Sequence, residues 1–238
     1  PLWVSKVHLV SPTAAFGDVD HDGRLDVVLG SPSGTHRFLN ELNRIEEIPS
    51  WSLEFPEDTT DLVLGDMDGD GDVDLVCGND DGPNTLHRNS NGAFDQGSSW
   101  FPESYFGHVG VALADVDADG DLDLVSVGDG LAEGSSLYLN TGSGPGDRPS
   151  WEEETRARTL SVACGDVDAD GDMDLFLGHE PGVALRLNHT APAAGFHPLV
   201  DVPRLPNEPA QLRDVRVSGS GNFREIEFVA YDPESDSL

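Results

Sequence analysis

Lysine is almost missing from this 238-residue chain: Lys6 is the only one, and with the arginines it gives 13 bases against 45 acids, a formal net charge of −32. Nucleic acid and anionic membrane surfaces both need a basic footprint, so neither is expected as a partner. Apolar runs are short, and none approaches the roughly 18 residues of a spanning helix, so no membrane insertion is expected. No stretch of about ten residues carries helical periodicity, which excludes a helical solenoid. Cysteine is scarce too. Cys77 and Cys164 lie in apolar, β-like runs of different segments, which reads as two buried free thiols rather than a disulfide. Glu-x-x-His and His-x-x-x-His pairs and a nucleophile elbow are all lacking, and the clusters "TGSGPG" and "SGSG" have no strand-to-helix context, so they read as hairpin loops. No catalytic residue is assigned, and an enzyme is not expected. Pro1 opens the chain without a Met or a signal-peptide pattern, as a processed protein or an excerpt of a longer one would.

What is abundant is aspartate, and it is periodic. "GDVDHDGRLDVVLG" from Gly17 recurs as "GDMDGDGDVDLVCGN" from Gly65, "ADVDADGDLDLVSVG" from Ala114 and "GDVDADGDMDLFLG" from Gly165. The first aspartates, Asp18, Asp66, Asp115 and Asp166, are 48, 49 and 51 residues apart. Trp3, Trp51, Trp100 and Trp151 precede the acidic loops at a similar step, and Asn40, Asn89, Asn140 and Asn188 follow them. Four copies of one unit thus fill residues 1–198, a period that belongs to propellers and solenoids.

Within a unit the local signals are all β. A short apolar run such as Leu62, Val63 and Leu64 precedes each loop, and another such as Leu75, Val76 and Cys77 follows, as strands buried on both faces require. A third run ends at the repeated Asn and a fourth lies around the Trp. Four short antiparallel strands per unit make one blade of an all-β propeller. "DLDLVSVG" has one residue more before Gly128 than the other units have before their glycine, which predicts a bulge in that strand.

Each loop reads Asp-x-Asp-x-Asp-Gly-x-x-Asp. The carboxylates are Asp18, Asp20, Asp22 and Asp26; Asp66, Asp68, Asp70 and Asp74; Asp115, Asp117, Asp119 and Asp123; and Asp166, Asp168, Asp170 and Asp174. With the backbone carbonyl of position 7, which belongs to Arg24, Asp72, Asp121 and Asp172, each set can wrap one hard cation in oxygen. The expected cofactor is therefore Ca2+, about four ions, one per loop. Magnesium prefers a strict octahedron and zinc wants nitrogen or sulfur. Gly23, Gly71, Gly120 and Gly171 at position 6 allow the sharp turn, and His21 at position 4 points outward into solvent. An EF-hand would need a carboxylate at position 12 and flanking helices, whereas Leu29, Cys77, Ser126 and Leu177 stand there.

On these motifs the four units resemble FG-GAP/VCBS-type repeats, the calcium-binding propeller blades of integrin α-chain heads and of many secreted bacterial proteins. Phe16-Gly17 and Gly30-Ser31-Pro32 of the first unit are close to the motif that names the family; the other units lack its Gly-Ala-Pro element. The resemblance implies structural calcium in each blade, with functions that range over adhesion, lectin-like binding and accessory domains of enzymes. Four blades are fewer than the six to eight usual in that family. Upstream blades outside the chain, a complete ring of four and a short arc all remain open.

Beyond the repeats, residues 199–211 form a Pro-rich linker, and residues 212–238 give two strands, around Val215 and from Ile226 to Tyr231, that weakly resemble the opening of an Ig-like or fibronectin-like sandwich. The leading functional expectation is a calcium-rigidified, non-catalytic adhesion or scaffold module, secreted or at the cell surface, whose partner is a protein or glycan there or in the matrix. Self-assembly or neighbouring domains of a parent chain are further partners. A carbohydrate-binding propeller with Trp3, Trp51, Trp100 and Trp151 as stacking faces is the second expectation, and an accessory domain of a polysaccharide-active enzyme the third.

Overall fold

The computed structural model describes residues 3–7, 13–42, 44–53, 58–80, 82–103, 108–128, 134–153, 158–180, 182–188, 211–218 and 223–231, and no helix occurs among them. The first blade is an antiparallel sheet in the order β1 (Thr13–Gly17), β2 (Asp26–Ser31), β3 (Gly34–Phe38) and β6 (Trp51–Ser52), with β4 (Asn40–Glu41) and β5 (Arg44–Ile45) as a side hairpin. The second holds β7 (Thr59–Gly65), β8 (Asp74–Asn79) and β9 (Thr85–His87), and a bridge from Leu86 to Trp100 marks its fourth strand. The third runs β10 (His108–Ala114), β11 (Asp123–Gly128), β12 (Ser136–Tyr138) and β13 (Trp151–Glu152). Every residue of β8 and of β11 is buried, because blades cover the sheet on both faces and leave no polar side for alternation.

The tryptophans that open the second, third and fourth units in the sequence belong to the sheet before them, while Trp3 packs against Phe38 of the first blade. Trp51 pairs with Arg37 and Trp151 with Leu137, so each forms the outer edge of the preceding blade. Its ring then reaches forward. Trp51 packs edge-on against Phe94 of the second blade at 5.3 Å, and Trp100 against Tyr138 of the third at 5.4 Å.

The core accordingly lies between blades. One cluster joins Val19, Val28 and Trp51 to Leu62, Leu75 and Phe94; a second joins Met67 and Val76 to Val111, Leu124 and Tyr138. Close approach is marked by the glycines before the first two loops, whereas Ala114 stands at this place in the third. A Cβ on Gly17 would meet Leu64 Cδ1 at 2.8 Å, and one on Gly65 would meet Leu113 Cδ1 at 2.6 Å, so a side chain at either position requires those leucine side chains of the next blade to shift.

The repeated asparagines tie the blades together. Asn89 Nδ2 donates to Val73 O of its own loop at 3.1 Å and to Val19 O of the preceding loop at 2.8 Å. Asn140 does the same to Leu122 O and Met67 O, and Asn188 to Met173 O and Val116 O. One buried amide thus satisfies two buried carbonyls on different blades.

Two expectations change. Register along β11 is continuous from Leu124 to Gly128, and the irregularity lies opposite, between His108 and Gly110 in β10. β7 and β14 (Arg158–Gly165) carry the same irregularity, so the third unit has no inserted residue; Val127 simply stands where Gly78 and Gly178 stand in the neighbouring units. Space is kept by exchange: Gly78 faces Val111, whereas Val127 faces Gly110. The second change concerns the fourth sheet, which runs β14, β15 (Asp174–Glu180), β16 (Gly182–Asn188), β18 (Phe223–Tyr231) and β17 (Gln211–Ser218). Strands fall where the sequence places them, but β18 pairs with β16 and takes the outer place that a Trp-bearing strand holds elsewhere. The linker before Gln211 and residues 189–198 lie outside the described residues.

Candidate metal centre

Each acidic loop connects the first and second strands of a blade, and its shape is written by its own carboxylates. Position 1 closes the turn: Asp18 Oδ1 and Oδ2 accept from the amides of Asp22 at 3.0 Å and Gly23 at 2.9 Å. Asp115 and Asp166 repeat this with Asp119 and Gly120 and with Asp170 and Gly171, while Asp66 accepts from Gly69 and Gly71. Position 5 accepts from the amide of position 7, as in Asp70 with Asp72 at 2.8 Å. Two residues per loop take the left-handed conformation. Gly23, Gly71, Gly120 and Gly171 do so at position 6, and position 4 does so as well, with His21, Gly69, Ala118 and Ala169 at φ between 59° and 73°.

Position 9 is the buried anchor. Asp74 accepts from the amides of Met67 at 2.9 Å and Asn89 at 2.8 Å, one on each oxygen. Asp26, Asp123 and Asp174 repeat the pair with Val19 and Asn40, Val116 and Asn140, and Val167 and Asn188. The Asn landmarks therefore serve the loop too, through their backbone. Their recurrence was visible in the sequence, and their task was not.

Carboxylate oxygens converge in all four loops. Asp18, Asp20 and Asp22, and likewise Asp66, Asp68 and Asp70, each bring three oxygens within 4.8 Å of one another; in the later loops the trios are Asp115, Asp117 and Asp123, and Asp166, Asp168 and Asp174. Two observations show that these donors fit a hard cation. Asp68 Oδ1 and Asp117 Oδ1 are buried with no hydrogen-bond partner, which is costly for an anion unless a cation meets it; Asp68 is already met on its other side, its Oδ2 pairing with Arg88 Nη1 at 3.0 Å, so the case is cleaner at Asp117. At position 7 the Asp72 side chain is turned to another partner, its Oδ2 accepting from Asn91 N at 2.7 Å, and Arg24 carries no side-chain oxygen and pairs with Asp22. The backbone carbonyl is the group such residues retain for an ion. No nitrogen or sulfur donor enters any of the trios, which disfavours zinc.

His21 is half-exposed as expected but not simply solvated: its Nε2 lies 2.7 Å from Asp72 Oδ1 of the next loop. Cys77 and Cys164 share no disulfide; Cys77 is buried and Cys164 partly so, and burial pushes the Cys164 thiol up to about 11.

Burial is also the main force on position 9. It pushes the carboxyls of Asp74, Asp123 and Asp174 up to about 6 against the lowering pull of their two amide donors, and it raises Asp26 in the same way. A carboxyl raised in the folded state holds more protons than in the unfolded chain between about pH 4 and 6. The destabilisation is full above that window and relieved below it. Chelated protein should therefore melt a few degrees higher at pH 5 than at pH 7, and Asp74→Asn should flatten part of that slope. Calorimetric scans across this range check it, and a chelated melting temperature that falls from pH 7 to pH 5 contradicts it.

The FG-GAP-like repeat family matches residues 18–77, 66–126 and 115–177, each match running from one acidic loop through the strand that follows the next. The chain belongs to this family. Among solved structures it is similar to a lectin from Agrocybe aegerita that recognises non-reducing terminal N-acetylglucosamine, at 18% identity and a TM-score of 0.51, over 77% of this chain and 50% of that one. The chain thus spans half the length of that lectin, and the likeness is one of fold. A BBS1N chain from a complex with ARL6DN is also similar, at 11% identity and a TM-score of 0.33, over 77% of this chain and 80% of that one. No curated protein matches.

Proposed function

We propose that this chain is a calcium-rigidified, non-catalytic scaffold or adhesion module of a secreted or cell-surface protein, with a protein or glycan of the cell surface or matrix as its partner. The observation that carries the reading is an oxygen-only trio of aspartates in each of the four loops, from positions 1, 3 and 5 in the first two and 1, 3 and 9 in the last two, with buried, unpartnered carboxylate oxygens on Asp68 and Asp117. When bound, each ion supplies two positive charges and a demand for oxygen ligands. The residues that would hold it are the aspartates at positions 1, 3, 5 and 9, with the carbonyls of Arg24, Asp72, Asp121 and Asp172. Their part is mechanical: they close the turn and fix the entry to each buried strand, so that an otherwise repulsive segment becomes a rigid corner.

Location follows from affinity. Sites of this kind fill at about millimolar calcium, which is met outside cells and not in cytosol. Calorimetric titration of chelated protein should count close to four calcium ions, one for each acidic cluster. Detection of the native protein only in a cytosolic fraction would remove the extracellular reading.

A glycan is the second reading, supported by the fold-level likeness to a lectin. Burial of Trp51 and Trp100 between blades speaks against those two as sugar platforms, while Trp3 and Trp151 keep part of their surface. Retention of calcium-loaded protein on a glycan array that is lost in Trp3→Ala or Trp151→Ala protein of unchanged melting temperature favours the sugar-stacking reading, and turnover of a uronate polysaccharide would favour the enzymatic alternative instead.

A further inference from the structure

The four loops share one pattern, and the first departs from it in charge at a single place. Position 7 is Asp72, Asp121 and Asp172 in the later loops but Arg24 in the first. Four aspartates and one arginine leave the first loop at −3, whereas five aspartates leave each of the others at −5. A site's hold on a hard cation follows the charge gathered around the ion, so the first loop has the least to offer.

Geometry points the same way. Arg24 folds back over its own loop: Nη2 pairs with Asp22 Oδ2, Nε donates to Asn40 O at 2.6 Å, and the backbone amide donates to Asp22 Oδ1 at 2.9 Å. That amide bond recurs in Asp70 with Asp72 and in Asp119 with Asp121, so Oδ2 is the oxygen that sets the loops apart. In the first loop a guanidinium already sits on it, and an ion that takes Asp22 Oδ2 as ligand must displace that group. Position 3 differs as well. Asp20 Oδ1 accepts from the Asp22 amide at 3.2 Å, whereas Asp68 Oδ1 and Asp117 Oδ1 are the buried oxygens without a partner.

We propose that Arg24 is a built-in counter-ion, which makes the first loop the weakest of the four calcium sites and holds its turn closed when no ion is bound. The third loop stands at the other extreme, because Asp115, Asp117, Asp119, Asp121 and Asp123 pair with no basic side chain among the described residues. The second lies between, since Arg88 Nη1 meets Asp68 Oδ2 at 3.0 Å. This order of filling rests on the calcium reading proposed above. The first corner empties first as calcium falls, and it is also the corner that needs the ion least.

Calorimetric titration of the chelated protein with calcium should resolve one step at least about tenfold weaker than the tightest. Asp22→Ala should abolish that weak step and leave the others. Arg24→Asp, which restores the aspartate of the other loops, should tighten the weak step at least about tenfold, and Arg24→Gln should recover part of the gain by removing the charge alone. Melting temperatures in calcium establish that the variants fold. Hydrogen exchange in chelated wild-type protein reads the counter-ion without any variant. Corrected for sequence, the amides of Asp22 and Gly23 should exchange more slowly than those of Asp119 and Gly120, which make the same bonds to position 1. Four equal calcium steps, a tighter step lost in Asp22→Ala, a weak step unmoved by Arg24→Asp, or first-loop amides that exchange as fast as those of the third would each overturn the proposal while leaving calcium binding in place. No calcium uptake at all would remove the calcium reading and this order of filling together.

Discussion

Chelating calcium should lower the melting temperature of this protein by on the order of 5 to 20 °C. With a dissociation constant of about 0.1 to 1 mM per site, roughly 2 mM calcium stabilises the folded chain by about 0.6 to 1.8 kcal/mol at each loop. Four loops give on the order of 2 to 7 kcal/mol, comparable with the whole margin of a typical domain. The size of the effect is rooted in charge: 19 of the 45 acids lie in the four loops, and four dications would bring −32 to −24. Without an ion, oxygens gathered within 4.8 Å can escape repulsion only by opening the loop or taking up protons. Asp70→Ala should reproduce about a quarter of the chelator's effect by emptying the second loop. Asp74→Ala should cost more, because it also strips the acceptor from the amides of Met67 and Asn89, at about 1 to 3 kcal/mol for each donor left unpaired. Magnesium at the same concentration should restore less than calcium. A melting temperature indifferent to EDTA, or fewer than three ions bound, would show that these are solvated acidic turns.

The loops were legible because their chemistry is local. Four carboxylates, a glycine and a hand-over to an apolar strand all fall within a dozen neighbouring positions, a spacing that suits the oxygen demand of a hard cation without reference to the rest of the fold. What could not be read depends on partners one repeat away. Asn140 stands out as periodic, yet its amide donates to Met67 O, 73 residues upstream, and a periodicity does not name its partner. Likewise Trp51 opens a unit in the sequence but completes the preceding sheet, since the outer strand of a blade is joined by hydrogen bonds that no local pattern records. Val127 invites the reading of an inserted residue because glycine is the landmark there; the compensating Gly110 sits on the strand opposite. The left-handed turn at position 4 escaped notice because Gly69 is the only glycine among His21, Ala118 and Ala169. Two orphaned oxygens on Asp68 and Asp117 could be found only in three dimensions.

Replacing Trp51 by Ala should cost about 3 to 5 kcal/mol, the second large effect expected here. Its side chain is 8% exposed, stands edge-on to Phe94 at 5.3 Å and to His87 at 6.3 Å, and donates from Nε1 to Phe94 O at 3.0 Å. Truncation would empty the space between the first and second blades, where Val28, Leu62 and Leu75 also meet. Trp100 occupies the corresponding place one blade on, against Tyr138, but its Nε1 is buried without a partner. Trp100→Phe should therefore be cheaper than Trp51→Phe, which leaves the Phe94 carbonyl without its donor, although both remove the same ring area. Trp3 donates to Glu46 O at 2.8 Å and stacks edge-on with Phe38 while keeping part of its surface, so Trp3→Ala should fall between these and a surface change. Thermal unfolding of the single variants, scored beside retention on a glycan array, separates packing from recognition. Aromatics that join blades lower stability and leave any surface binding intact, whereas sugar-stacking platforms do the reverse. If Trp51→Ala kept the wild-type melting temperature but lost retention on glycans, its ring would be a binding face, and the lectin reading would displace the scaffold.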